Sequence, residues 1–519
     1  MKNRRNLVVK YIFLQCIFIN VTIAFAQREA DCIIAGNSLY SQPDRQPPGD
    51  NFIIKYNADS LESIDNDSPY ALSNFYSRAA YSDKYGNFKF ACNNWRLVNS
   101  LGEVLSYKLW REDMPWPSGS GDTTLIDVAK GPLFLNDPGD STKAYLFYGQ
   151  FKTLPAQTFA TLRRDIYFTY AYLDVPTQQL ISKNNIVLTD TTSIGDMMAV
   201  RHGNGRDWWL IKPGLFTNVY YIGLVSPTGI SPMQRVEIPG LTPKEQTYSS
   251  SFFSQDGNTF VHCTDFVNFW IQKMEFDRCT GQFFNPIEYD MNPLIRTGNL
   301  CHWVVSPDAT KCYFIRLNYN DSTYLNGTYQ YDFLSDSLYY VSDRAGLAYL
   351  SPNFKEIMIE KRIGNELSSN YGAIKKPNVL GEACNYVPII YPLLNFGIFV
   401  STPNFANFRL GPVDGSICDS LGINNPVAVE KIWEEQENKF AQVFPNPFVT
   451  ELNLHLQTAP QKPLLLQVHN TVGQLLWQSR ITQQTTQIPI AQWSKGLYLL
   501  RVVDENGRVR FVEKVVRNE

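Results

Sequence analysis

An all-β fold is predicted by three features of this 519-residue sequence. From about Cys32 to Cys418 the chain is a series of short apolar and aromatic runs cut by Gly, Pro, Asn and Asp. Hardly any stretch holds a 3.6-residue period. Turn-then-strand signals return at a steady interval.

Those signals begin at Ser82 (SDKYGNFKF), Asn136 (NDPGDSTKAYLFY), Gly203 (GNGRDWWLI), Ser254 (SQDGNTFVH), Ser306 (SPDATKCYF) and Ser351 (SPNFKEIMI). The steps between them are 54, 67, 51, 52 and 45 residues. Four short strands and their turns need roughly 40 to 50 residues, the length of one β-propeller blade. The prediction is a propeller over residues 27–423 with about seven blades, within a range of six to eight. Its ring must close to protect its edges, and FIIKYN, from Phe52 to Asn57, is expected to be the N-terminal strand that completes the last blade. A pair of β-sandwiches is the alternative.

The local chemistry of the repeat is that of a tight turn. Ser or Asp ahead of Pro-Asp or Asp-Gly caps the turn with side-chain oxygens, and the apolar residues that follow enter a buried strand. The copies at Ser254, Ser306 and Ser351 resemble the blade turn of TolB-like and WD-repeat propellers. The glycine position is Ala309 in one copy and Phe354 in another, so those two turns are expected to differ in backbone geometry.

Lys2, Arg4, Arg5 and Lys10 precede an apolar run of about 15 residues, short of the roughly 20 needed to span a bilayer, and it ends at Ala24-Phe25-Ala26. Residues 1–26 are therefore expected to be a signal peptide, cleaved after Ala26, leaving no transmembrane segment. Cys16 and Cys32 lack the small-residue setting of a lipid attachment site.

Charged residues make up 18% and the net charge is −3, so nothing drives the chain into disorder. The absence of Lys/Arg clusters argues against a nucleic-acid partner. Of nine cysteines, eight remain after Cys16 leaves with the signal peptide, an even number that reads as disulfides in an oxidising compartment. Sequence leaves the pairing open, and hairpin-sized separations put forward Cys263 with Cys279 or Cys301 with Cys312. No two cysteines stand at CxxC spacing, and no metal or other cofactor is expected.

After a polar linker, residues 424–441, strands alternate with glycine turns in a small Ig-like β-sandwich over 442–519. It opens with Pro445-Asn446-Pro447, turns at Gly473, carries a G-x-Y strand at Gly496 and Tyr498, turns again at Gly507 and ends with Lys514-Val515-Val516. These motifs, in this order over about 77 residues, are similar to those of type IX secretion sorting domains. The resemblance implies passage across the outer membrane, contact with the type IX machinery, removal of the tail, and either release or attachment at the surface. The propeller region also resembles a class of secreted Bacteroidota proteins of uncharacterised function that pair a propeller with such a tail. Ser82 to Val104, Val200 to Ile211 and, most specifically, PNFANFRLGPVDGSICDSLGI at Pro403 to Ile423 carry that likeness.

Chemistry is sparse. No nucleophile elbow, zincin motif, phosphate loop or dinucleotide fingerprint occurs, so no catalytic residue is assigned. His202, His262 and His302 fall in successive repeats, conceivably around the channel. The best binding candidates are His202, Asn204, Arg206, Asp207 and Trp208: two glycines turn the backbone tightly, and a cation, a carboxylate and an aromatic face stand side by side. The bland account of the same residues is a hairpin turn leading into a buried strand. Arg163-Arg164-Asp165 and Asp122-Thr123-Thr124 are weaker candidates. The expected function is binding or interaction outside the cell, with a glycan, peptide or surface protein as partner. The alternatives are an extracellular glycan hydrolase or lyase and a structural surface or adhesion component.

Overall fold

Each of the turn signals at Ser82, Asn136, Gly203, Ser254, Ser306 and Ser351 joins the first two strands of a separate antiparallel sheet. The computed structural model describes residues 28–37, 51–57, 61–65, 77–93, 96–107, 109, 130–153, 163–193, 195–215, 218–243, 248–265, 269–294, 300–317, 327–343, 348–363, 366–392, 398–399, 402–421, 440–470, 475–491, 493–504 and 509–518. They fall into two compact units, Met1–Pro426 and Val427–Glu519, and each is taken by itself below.

The first unit holds seven sheets of four or five strands among its described residues, a seven-bladed propeller. Blade 1 is Cys32–Asn37, Asn51–Tyr56 and Leu61–Asp65, and its sheet is completed by Ile398–Phe399 from the far end of the unit. The ring is thus closed by both ends, as expected. The strand containing FIIKY lies inside the closing blade, however, and the closing strand itself comes from the C-terminal side. Blades 2 to 7 begin with Ser77–Ser82, Leu133–Asn136, Met198–Arg201, Tyr248–Phe253, Leu300–Val305 and Ala348–Leu350. Thr402–Pro403 adds a short parallel pairing to the first strand of blade 2.

The 67-residue step has a direct cause, because blade 3 carries strands of 11, 12 and 14 residues at Lys143–Thr153, Arg163–Asp174 and Gln179–Thr192. Blades are glued by aromatic side chains on their facing surfaces. Phe134 of blade 3 packs on Tyr81 and Phe90 of blade 2, with ring centroids at 5.6 and 6.4 Å, and Trp303 of blade 6 meets Phe269 of blade 5 at 6.4 Å. Each such ring, fully buried, contributes on the order of 2 to 3 kcal/mol.

The turns correct one expectation. Gly205, Gly257, Ala309 and Phe354 all have positive φ, at 75°, 75°, 51° and 59°, and each donates its N–H to the carbonyl three residues earlier. Ala309 and Phe354 therefore adopt the same left-handed geometry as the glycines, because the capping bonds of the flanking residues fix it. Ser254, Ser306 and Ser351 each accept the N–H five residues on at 3.0 to 3.1 Å and donate to Asp256, Asp308 or Asn353.

The disulfide expectation is also corrected. Cys279 is joined to Cys418 with a Cα–Cα distance of 5.6 Å, while Cys263 and Cys312 are free and buried. Cys301 stands opposite Arg316 and Cys312 opposite Val305, so the register keeps that pair four positions apart. Cys263 lies opposite Ile271 inside blade 5, well before the turn that carries Cys279.

The second unit is a sandwich of two sheets, Ala441–Phe444, Asn453–Leu456 and Thr485–Gln487 against Leu475–Ile481, Leu464–Asn470, Gly496–Val503 and Val509–Arg517. Period-2 alternation sends Leu454, Leu456, Leu466, Val468, Leu500, Val502 and Val515 into one core. The 1–26 segment, Asp122–Thr124, Gly473 and Gly507 lie outside the described residues.

Candidate functional site

The segment after Pro403, the most distinctive stretch of the propeller sequence, is a strap across the face formed by the blade turns. Asn404 donates to Gly131 and Met197 carbonyls at 2.9 and 3.2 Å, and Asn407 donates to Gln255 O at 2.9 Å. Arg409 pairs with Asp31 and donates to Pro352 O at 3.2 Å; Arg278 donates to Gly411 O; Val413 N donates to Gly203 O at 2.9 Å. The strap thus touches elements of blades 1, 3, 4, 5 and 7, and the Cys279–Cys418 disulfide secures its end.

The five predicted binding residues come together in the blade 4 turn beneath this strap. Asn204 Oδ1 accepts from Arg206 N and Asp207 N, both at 3.0 Å, and Asn204 Nδ2 donates to Asp207 Oδ2 at 2.9 Å. Arg206 Nε donates to Asp207 Oδ1 at 2.7 Å. Burial pushes the His202 imidazole below the usual histidine range; its Nδ1 accepts from Asn204 N at 3.0 Å, leaving Nε2 to donate to Cys279 O at 3.1 Å. Trp208 is fully buried, donates to Asn136 Oδ1 at 3.1 Å, lies 3.7 Å under the Arg201 guanidinium and meets strap residue Phe408 edge-on at 5.0 Å. Arg206 keeps 38% of its side chain exposed and His202 is half-buried, while Asn204, Asp207 and Trp208 are buried. Arg163, Arg164 and Asp165 lie at the start of the third strand of blade 3.

On the axis, the first strands of blades 4 to 7 and the strap line a small cavity of about 50 Å³ that is partly open to solvent. Val200, Phe252, Trp303, Tyr349 and Phe405 line it, with Lys130 as the one basic or acidic side chain of its lining. The Lys130 amine donates to Ser251 O and lies 3.8 Å from the Phe252 ring centroid. Burial pulls its pKa down to about 8, against the opposing pull of Asp196. The Trp303 indole N–H has no hydrogen-bond partner.

Behind Lys130 lies a wholly buried polar cluster that sequence reasoning did not assemble. Asp196 accepts from Ser249 Oγ at 2.8 Å and from Ser251 Oγ and N at 2.9 Å, with His262 Nδ1 at 3.2 Å. Burial opposes ionisation of Asp196, but the His262 bond and charge, Ser249 and Lys130 outweigh it and hold the carboxyl below its ordinary range. His262 and His202 are thus committed to separate partners, and nothing is described of the His302 side chain. Asp196 carries no local signal beyond a preceding glycine; only the ring brings it beside blade 5. Among the described residues no group of three or more His, Cys, Asp and Glu is placed to hold a metal.

In the second unit, the opening and closing sorting motifs meet. Asn446 Nδ2 donates to Lys514 O at 2.7 Å and Asn446 Oδ1 accepts from Val516 N at 3.0 Å. Pro445 and Pro447 both follow cis peptide bonds. Tyr498 packs on Trp493 with centroids 4.9 Å apart and donates to Ser494 O, and Gly496, with φ of 152°, begins that strand.

Fold and motifs together define an exported two-unit chain, a strapped seven-bladed propeller followed by a β-sandwich tail. That tail is a type IX secretion sorting domain: residues 442–518 match the family described as the secretion system C-terminal sorting domain. The tail implies interaction with the secretion machinery and export to the cell surface or beyond. No curated protein matches the chain. Among solved structures it is similar to PorZ, a surface component of the type IX secretion system of Porphyromonas gingivalis, at 10% identity, 94% coverage of this chain and TM-score 0.32. The match spans 58% of the length of PorZ. It is also similar to the periplasmic gluconolactonase PpgL of Pseudomonas aeruginosa, at 12% identity and TM-score 0.37 over 70% of this chain and 96% of that one. A third likeness is to the β-propeller domain of Cps50 from Myceliophteria thermophila, at 10% identity and TM-score 0.27 over 74% of this chain and 96% of that one. The propeller assignment rests on the seven sheets themselves.

Proposed function

We propose that the protein is a binding module that passes through the periplasm after signal-peptide removal, is carried out by the type IX machinery and takes a small ligand in the propeller's axial cavity. The observation that carries this reading is the cavity wall: aromatic and aliphatic side chains around a single buried amine, Lys130. Such a wall suits a ligand with an apolar face and an acidic group, for example a uronate sugar or a peptide C-terminus. Lys130 uses one strong bond to Ser251 O and has further donor capacity for a carboxylate. In this reading the His202–Trp208 turn is a support: it holds the strap whose Pro403, Phe405 and Asn407 form part of the cavity wall. Arg206 adds a cation at the same face.

The test is a thermal-shift series on the chain from Gln27 onward, with uronate oligosaccharides and short peptides set against their neutral, carboxyl-blocked counterparts. The acidic ligands are expected to raise the melting temperature by several degrees, and Lys130→Met to remove that rise while keeping the cooperative transition. Equal responses to acidic and neutral compounds, or none, would sink the reading.

A further inference from the structure

Two buried free thiols face each other across a blade interface. Cys263 is on the second strand of blade 5 and Cys312 on the second strand of blade 6, and both are fully buried. Strand alternation sends their neighbours away: His262 turns to Asp196 of blade 4, while Tyr313 packs with Ala348 and Ile357 of blade 7. Cys263 and Cys312 are left on the shared interface, in one cluster with Val261, Trp303 and Phe314. Burial, and after it the neighbouring Cys312 thiol, push the Cys263 thiol up.

We infer that Cys263 and Cys312 form a second disulfide in the exported protein, stapling blade 5 to blade 6. The oxidant is a dithiol–disulfide catalyst or a small-molecule disulfide. One cysteine loses its proton and its sulfur attacks the oxidant disulfide, releasing one thiolate; the other cysteine then attacks the mixed disulfide and releases the second. Two cysteine S–H groups are oxidised, two protons leave, and the oxidant is reduced to two thiols. A bond of 2.03 to 2.05 Å requires the two Cα atoms to come within about 4.4 to 6.8 Å of each other, across an interface whose side chains already share one cluster. Burial pushes the Cys263 thiol well above the usual thiol range, so the folded interface has little thiolate to react. Oxidation therefore belongs to the folding stage, before blades 5 and 6 close on each other.

The experiment is a peptide map of the chain from Gln27 onward, recovered from an oxidising compartment, unfolded with N-ethylmaleimide and digested without reduction. The expected result is a linked pair of peptides containing Cys263 and Cys312, beside the Cys279–Cys418 pair, and its absence when the map is repeated after reduction. A parallel sample refolded with glutathione disulfide should give the same link, whereas one folded reduced and then exposed to glutathione disulfide should form it at least tenfold more slowly. Recovery of both residues as maleimide adducts in the exported and the oxidatively refolded samples would overturn the inference. So would linkage of either to another cysteine.

Discussion

A Cβ built on Gly205 would stand 2.6 Å from Pro412 Cδ and 2.7 Å from Pro412 N, so strap and blade turn approach each other as closely as a glycine permits. The same holds one blade on, where a Cβ on Gly257 would lie 2.7 Å from Leu410 Cδ2. In blade 7 the equivalent residue, Phe354, instead lays its own ring against strap residue Phe405, 6.4 Å between centroids. The turn backbone is constant, and what passes over it selects the side chain.

Gly257→Ala is therefore expected to destabilise the propeller by about 2 to 4 kcal/mol, combining left-handed strain with overpacking against Leu410 and Val200. Ala309→Gly, at the same turn position in blade 6, should stay within about 1 kcal/mol of wild type, since relief of strain is offset by a more flexible unfolded chain. Urea titration of both variants checks the contrast, and an equal loss in the two would refute the role given to the strap.

The Cys279–Cys418 bond spans 139 residues, a separation at which a crosslink removes much unfolded-chain entropy. Cys418→Ser is expected to cost about 2 to 5 kcal/mol. It should also raise amide hydrogen exchange over 404–413 more than in the blade strands. Uniform acceleration across the ring would mean that the strap has no separate stability.

Much of this architecture was legible in the sequence because it is local. The blade period is written in Ser254, Ser306 and Ser351 and their neighbours, since each turn is capped by its own side chains. The sorting tail is legible for the same reason. The strap's meaning was not: PNFANFRLGPVDGSIC stands out as a string, but its partners Asp31, Gly131, Gly203 and Arg278 are scattered across the chain. The Asp196, Ser251 and His262 cluster was hidden likewise, because the ring joins residues from separate repeats. The disulfide eluded hairpin reasoning because Cys279 pairs with the strap.

In the sorting domain, Asn446→Ala removes two hydrogen bonds to the last strand, at Lys514 O and Val516 N. Both bonds are exposed, and a loss of about 1 to 2 kcal/mol is expected in urea-dependent amide hydrogen exchange of the full chain, read at the tail strands Leu464–Asn470 and Gly496–Val503. Asn446→Asp, which keeps the acceptor for Val516 N but loses the donor to Lys514 O, should fall between the two. An alanine variant as stable as wild type would show that the opening motif does not brace the fold.

Glu29 gives the propeller a pH dependence whose sign is fixed by its surroundings. Its carboxyl is buried, and burial raises its pKa from 4.5 to about 7, only partly opposed by the Arg201 charge. Below about pH 4.5 Glu29 is protonated in both folded and unfolded chains and has no effect on the balance. Between about 4.5 and 7 the unfolded chain ionises while the folded one holds its proton, so stability falls as pH rises, by about 3 kcal/mol in all. Above 7 the loss is complete and constant. Glu29→Gln, which cannot ionise, should flatten this slope, and the difference between wild-type and variant unfolding free energies across pH 4 to 8 isolates the contribution of Glu29 from that of Asp31 beside it. Parallel curves for the two proteins would place the Glu29 carboxyl in contact with water and remove the effect.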